Sequence, residues 1–328
     1  MEMTGLVDSF QRQINYLRIS VTDRCNLRCI YCSVGSIPHL SHDDILRYEE
    51  IRKVVQVAAS MGISKVRVTG GEPLMRLNLS EFIYMLSRIE GIDDIALTTN
   101  GILLGKYAVE LRENGLKRVN VSLDTLKKDR FKRITGRDRL KEVLSGIEVA
   151  HLAGLEPVKI NMVVLRGIND DELLDFARKS ISEGWHVRFI EFMPFGIPKA
   201  EAFETVSTRE IRERIQPLGE LEPYTGKTGN GPAKYYRFPG TSGTIGFISP
   251  VTEHFCHSCN RLRLTSDGQL RPCLLDDDEV NLKEALRSRV STEKLKQLIQ
   301  QAVAIKREQH HLDQGIAPEK RPMCQIGG

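Results

Sequence analysis

The chain has 328 residues, 41% of them apolar and 27% charged, and a formal net charge of +4. That size suits one large barrel or two unequal domains, and so weak a charge, dispersed among Glu and Asp, excludes a nucleic-acid footprint. No uncharged apolar run reaches the roughly 18 residues that a membrane helix needs, and the start "MEMTGLVDSFQRQINYLRIS" lacks the basic and apolar regions of a secretory signal, so a cytoplasmic protein with no membrane contact is expected.

From residue 16 to about 193, short β-rich runs alternate with helical segments. The runs are "YLRISVT" (16–22), "KVRVTGG" (65–71), "IALTTN" (95–100), "RVNVSLD" (118–124), "PVKINMVVL" (157–165) and "HVRFIEFMP" (186–194). Among the segments between them, "LKEVLSGIEVAHLAGL" places Leu140, Val143, Leu144, Ile147 and Ala150 near helical spacing and stops at Gly154. Six βα units predict a parallel sheet with right-handed crossovers, curved into an open three-quarter barrel of α/β class. Along each run one face is apolar and the other polar. Parallel strands of this kind bury both faces, so the polar face must line the barrel lumen. Arg18, Arg67, Lys159 and Arg188 then point inward, and several cations on separate strands suit a polyanion such as a triphosphate.

The first run leads into "DRCNLRCIYC", which carries Cys25, Cys29 and Cys32. In a reducing compartment such clustered thiols are metal ligands rather than disulfides. Three thiolates satisfy three irons of a [4Fe–4S] cluster and leave the fourth iron open; a zinc site with a remote fourth ligand is the rival reading. The position, just past the first strand, is the C-terminal mouth of the barrel, where active sites of such folds sit. After the second run, Gly70 and Gly71 of "TGGEP" allow close backbone approach to a ligand.

Beyond about residue 195 the alternation ends. Ser207 opens a helix from Thr208 to Ile215, "KYYRF" and "TIGFIS" read as short strands, and "RLRLTSDGQLRPCL" reads as a hairpin turning at Asp267–Gly268. Helices are expected at about 280–288 and 291–309. A second triplet, Cys256, Cys259 and Cys273, again offers three thiolates, with His254 or His257 available should the ion be zinc. Beside it, "NRLR" places Arg261 and Arg263 on one strand face, a costly pairing unless an anion joins them. The chain closes on "MCQIGG"; Cys324 there receives no role. The change of pattern divides the chain into a partial barrel over residues 1–220 and a C-terminal region over residues 221–328.

The first triplet, with Tyr31 before its last cysteine, and the TGGEP segment resemble the radical S-adenosylmethionine (SAM) superfamily. Both triplets, the C-x2-C-N-R-x-R pattern and the closing Gly-Gly together resemble its GTP 3′,8-cyclase family, also called molybdenum cofactor biosynthesis protein A, over nearly the whole chain. The resemblance implies an incomplete (βα)6 barrel of the TIM type with a C-terminal extension carrying a second Fe–S cluster. It implies a lyase that turns GTP into 3′,8-cyclo-7,8-dihydro-GTP, with SAM as cosubstrate and two [4Fe–4S] clusters, one on Cys25, Cys29 and Cys32 and one on Cys256, Cys259 and Cys273. By the same resemblance Tyr31, Gly71, Ser122, Arg188 and Met193 contact SAM. Arg18, Arg67, Thr98, Lys159, Arg261, Leu262 and Arg263 contact GTP. Arg261 and Arg263 and the entering tail, Gly327 and Gly328, serve catalysis. A low-potential donor such as flavodoxin or ferredoxin, a downstream cyclic pyranopterin monophosphate synthase and a monomeric or homodimeric state complete the expectation. One departure is local: after Cys32 the chain has "SVGSIPHLSH" where the family pattern has Met-Pro. Two further readings are another radical SAM enzyme with an auxiliary cluster, such as a peptide or sulfatase maturase, and a zinc-stabilised binding protein without catalysis.

Overall fold

The computed structural model describes residues 5–32, 39–194, 203–226, 231–312, 318 and 321–327. In chain order the strands are β1 (Leu6–Val7), β2 (Gln13–Ile14), β3 (Tyr16–Ser20), β4 (Lys65–Thr69), β5 (Asp94–Thr99), β6 (Arg118–Ser122), β7 (Val158–Val164), β8 (His186–Glu191), β9 (Glu222–Pro223), β10 (Lys234–Arg237), β11 (Thr244–Ile248), β12 (Arg261–Leu264), β13 (Gln269–Arg271) and β14 (Val280–Asn281). The helices are α1 (Tyr48–Ala59), α2 (Leu79–Ser87), α3 (Leu104–Glu113), α4 (Lys128–Thr135), α5 (Leu140–Leu152), α6 (Leu173–Ser182), α7 (Thr208–Ile215), α8 (Lys283–Arg287), α9 (Thr292–Ala304) and α10 (Met323–Ile326).

The six predicted barrel strands are β3 to β8, paired in sequence order and all parallel. The parallel arc is longer than six, because the C-terminal region adds a strand at each edge: β12 pairs parallel with β3, and β11 pairs parallel with β8. An open parallel sheet leaves a row of unpaired N–H and C=O groups at both edges, and these two strands satisfy them. Antiparallel β13–β14 and β10–β9 then finish a twelve-stranded sheet that does not close.

Packing follows the period of two. Leu17, Ile19, Val66, Val68, Val119, Val121 and Ile160 are buried in the main apolar core. They face helices whose stripes match, as in α5, where Leu140, Val143, Ile147 and Ala150 are buried. Gly146 of α5 is required by close approach: a Cβ there would lie 2.6 Å from the carbonyl oxygen of Gly101. Ser207 caps α7 by accepting from the Glu210 amide at 3.2 Å, as predicted. The predicted hairpin is β12–β13, with Gly268 at φ +85. The end of the chain differs from expectation: residues 280–281 are a strand, and α9 stops at Ala304 rather than near 309. A smaller apolar cluster of Leu275, Leu312 and Ile326 holds the tail against the mouth of the barrel.

Candidate active site

The first cysteine loop leaves β3 and is pinned by the end of β4. The amides of Gly71 and Glu72 donate to the carbonyls of Thr22 and Arg24, each at 2.7 Å. A Cβ on Gly71 would sit 2.4 Å from the Arg24 carbonyl oxygen, and one on Gly70 would sit 2.7 Å from that of Thr22. Both glycines border the cavity, but the close approach they permit is first of all to this loop. Glu72 is fully buried and accepts from Leu74 N, Thr99 Oγ1 and Asn100 N; burial pushes its carboxyl up to about 7. On the other side, the amides of Arg28 and Ile30 donate to the last carbonyls of α4, at 2.9 and 3.0 Å. Tyr31 turns its phenol inward onto Asp124, 2.6 Å away, and Asp124 also accepts from Val163 N.

The second cysteine loop is pinned by the end of β8. Glu191, fully buried, accepts from the amides of Thr208, Val251 and Thr252, and Cys256 follows a few residues on. Cys256–Ser258 form one turn of 3₁₀ helix, and the hairpin β12–β13 brings Cys273 back beside them. All six cysteines border one cavity of about 320 Å³.

The donor sets fit iron–sulfur clusters. Burial raises the thiol of Cys29 well above its ordinary value, helped by Asp124 and by its neighbours Cys32 and Cys25. Three thiols that hinder one another's ionisation are stable together as thiolates only around a cation, which a cluster supplies. At the second triplet, burial opposes ionisation of Cys259, yet Arg261 and Lys306 bring it down to about 6. Each triplet has three thiols, so a cluster on either keeps one iron free of cysteine. The alternative zinc set is a different trio: His254, Cys256 and His310 have ligand atoms within 4.8 Å of one another, leaving Cys259 and Cys273 out. His257 does not join it.

The wall between the triplets is cationic. Arg263, Arg18 and Arg67 are successive Cα partners across β12, β3 and β4. Burial lowers the Arg18 guanidinium well below its usual value and Arg263 deepens the drop; burial and Arg261 bring Arg263 down to about 10. Further round, Ser122, Asn161, Arg188 and Gly246 form a row across β6, β7, β8 and β11. Arg188 donates to Asn120 Oδ1 at 2.6 Å, while its Nε and the Nε of Arg67 are buried without a hydrogen-bond partner. Buried donors in that condition mark a place for anionic or polar ligand atoms.

Of the residues singled out in the sequence, Arg18, Tyr31, Arg67, Gly71, Thr98, Ser122, Arg188, Met193, Arg261 and Arg263 border this cavity with the cysteines. Lys159 does not: it lies on the same inward face of β7, two residues before Asn161 and opposite Asn120, buried with its ammonium 5.1 Å from the Tyr235 ring centre, and burial with Arg188, Arg118 and Arg67 lowers it to about 5. The side chain of Leu262 lies on the outer face in the apolar core, so only its backbone can reach a ligand. Gly327 meets Arg263 at the cavity edge, whereas Gly328 and the loop 33–38 lie outside the described residues. Cys324 also borders the cavity, its thiol pushed up to about 11 by burial and then by Asp23 and Cys25. Asn100, Asp124 and Asn161 were missed, although each continues the inward period of a strand already read.

The Radical SAM superfamily model matches residues 19–179, and the Molybdenum Cofactor Synthesis C model matches residues 185–312. GTP 3′,8-cyclase of Moorella thermoacetica is 51% identical over 322 residues, which is 98% of this chain and 99% of that one. The enzyme of the same name from Pelotomaculum thermopropionicum is 50% identical over 335 residues, 98% and 99% of the two chains. Among solved structures, Streptococcus suis SuiB bound to S-adenosylmethionine superposes with a TM-score of 0.62 at 15% identity, over 88% of this chain and 68% of that one. The partial parallel barrel with a three-cysteine loop at its mouth thus has the radical SAM fold. Within that superfamily, the chain belongs to the GTP 3′,8-cyclase family.

Proposed function

We propose that this chain binds GTP and SAM in the one cavity and converts GTP to (8S)-3′,8-cyclo-7,8-dihydroguanosine 5′-triphosphate, the first step of molybdenum cofactor biosynthesis. The observation that carries the reading is the common cavity: two three-cysteine sets border one space whose lining also carries Arg18, Arg67, Arg188 and Arg263. Cys25, Cys29 and Cys32 would hold a four-iron cluster, which when bound would supply the one-electron reduction of SAM that starts the reaction; the chain's own residues hold the ribose C3′ toward SAM and the guanine C8 toward C3′.

The protein's part is orientation and charge. Gly71, Ser122, Arg188 and Met193, all on the cavity lining, hold SAM, with Tyr31 steadied by Asp124. Arg18 and Arg67 neutralise the triphosphate, and Thr98 lies beside the ribose. Lys159, on the same inward face, adds its charge once an anion is present. Arg261 and Arg263 flank the guanine end, near a second four-iron cluster on Cys256, Cys259 and Cys273, and an arginine there donates the proton that accompanies product reduction. The arrangement excludes water by closing the tail over the mouth, with Ile326 buried and Gly327 bonded to Arg263.

No helix among the described residues is long and apolar enough to cross a membrane. A cytoplasmic setting, a flavodoxin or ferredoxin donor, transfer of product to a cyclic pyranopterin monophosphate synthase, and a barrel unit over residues 1–220 with an auxiliary unit over 221–328 belong to the same proposal.

The test is anaerobic incubation of the reconstituted chain with GTP, SAM and dithionite, followed by mass analysis. Both 5′-deoxyadenosine and the cyclised nucleotide are expected. No 5′-deoxyadenosine refutes the chemistry, and 5′-deoxyadenosine without a cyclised guanosine refutes the substrate. The His254–Cys256–His310 trio supports a second reading of the C-terminal site as zinc; metal analysis showing zinc, with about four rather than about eight irons per chain, would favour it.

A further inference from the structure

Lys306 follows α9 and is 3% exposed. Its ammonium donates to the carbonyl of Arg261 at 3.2 Å and to that of Pro272. Arg261 lies two residues after Cys259, and Pro272 lies one before Cys273. The residues that follow reach the remaining cysteine. The carbonyls of Arg307 and Glu308 accept from Arg12 at 2.6 and 2.7 Å, and the same guanidinium donates to the Cys256 carbonyl at 2.8 Å. The His310 backbone amide bonds the Cys256 thiol itself. Residues 306–310 therefore reach all three cysteine-bearing segments of the second site, directly through Lys306 and His310 and by way of the Arg12 guanidinium.

The two cations differ in charge balance. Arg12 is neutralised by Asp8, 2.6 Å away and equally buried. Lys306 bonds only carbonyl oxygens, and no carboxylate among the described residues forms an ion pair with it. A buried ammonium without a counter-charge is costly, and clustered thiolates are the anion that would repay its desolvation.

We propose that Lys306 is a positioning residue of the second cluster: it holds the Cys259 and Cys273 segments together and supplies the uncompensated positive charge that raises that cluster's reduction potential. The inference rests on the reading of Cys256, Cys259 and Cys273 as a four-iron site. A positive charge beside a cluster favours the state with one more electron, so its removal moves the midpoint to a more negative value.

The test uses the full chain, reconstituted anaerobically, as wild type, Lys306→Gln and Lys306→Arg. Iron and sulfide are counted, and a dithionite titration is followed by electron paramagnetic resonance, with the first cluster's signal assigned from Cys256→Ala. Lys306→Gln is expected either to shift only the second cluster's midpoint negative or to lose only that cluster's irons, about four per chain, with SAM cleavage retained. Lys306→Arg, which keeps the charge and donors, is expected to restore the wild-type behaviour. An unchanged midpoint at full iron content in Lys306→Gln overturns the role of Lys306, and so does loss of both clusters alike in both variants. Wild-type protein holding only about four irons overturns the second cluster itself, which separates the two failures.

Discussion

Arg263 donates from Nη1 to the carbonyl oxygen of Gly327 at 2.8 Å, tying a barrel strand to the end of the chain. Ile326 beside it is fully buried, which at about 25 cal/mol per Å² contributes roughly 2 kcal/mol toward keeping the tail in place. Gly327 has φ +79, and a Cβ on it would lie 2.6 Å from Thr69 Cγ2 and 3.0 Å from Ser20 Cβ. Gly327→Ala therefore combines a left-handed conformation costing ~1–2 kcal/mol with a clash against β3 and β4. The expected result is cyclised nucleotide formed at about a tenth of the wild-type rate or less, with iron content unchanged. A wild-type product rate in that variant would show that the tail contact has no part in the reaction.

The two cysteine loops are pinned by different glutamates, Glu72 at the end of β4 and Glu191 at the end of β8, so they should fail independently. Cys256→Ala is expected to retain about four irons per chain and to go on making 5′-deoxyadenosine, while the cyclised product disappears. Iron analysis and product analysis on one preparation check this. Loss of SAM cleavage along with cyclisation would place the second triplet in the radical-forming step instead.

Arg261 is partly exposed at the second-triplet end, with its guanidinium 5.2 Å from the Phe255 ring centre. Arg261→Ala removes a charged donor from the guanine side and leaves the SAM side alone. A hydrogen bond to a charged group is worth about 1.5–3 kcal/mol, so GTP affinity should fall roughly ten- to a hundredfold while SAM affinity stays put. Equilibrium binding of each ligand to the reconstituted chain measures the split, and equal losses would count against it.

The barrel was legible because its signal is local: a period of two on each strand puts Arg18, Arg67, Thr98, Ser122 and Arg188 on one face without any knowledge of the sheet's neighbours. The cysteines were legible because spacing alone brings them together. Long-range assembly was less so. "TIGFIS" and "RLRL" read as strands, but nothing in them says that they pair parallel to β8 and β3 and complete the edges of the arc. Lys159 shares the inward period yet does not border the cavity, because it sits two residues nearer the start of β7 than Asn161, which does, with the Tyr235 ring beside its ammonium. Lys306 and Arg12 carry no pattern at all; their roles come from carbonyls brought to them by distant segments.

Lys159 also yields a pH signature. Burial and the nearby Arg188, Arg118 and Arg67 lower its ammonium from the ordinary 10.5 to about 5, so it is neutral at pH 7 in the chain without nucleotide. The folded state then binds fewer protons than the unfolded one between those values, and stability rises with pH across that window. A bound triphosphate favours the charged form and raises the pKa again. GTP binding at about pH 8, above the ionisation of the γ-phosphate itself, should therefore take up as much as one proton. Affinity should fall with rising pH by up to about tenfold per unit. Calorimetry in two buffers of different ionisation enthalpy reads the uptake directly. Lys159→Met should abolish both the uptake and the slope, and a variant that kept them would assign the proton to another group in the wall.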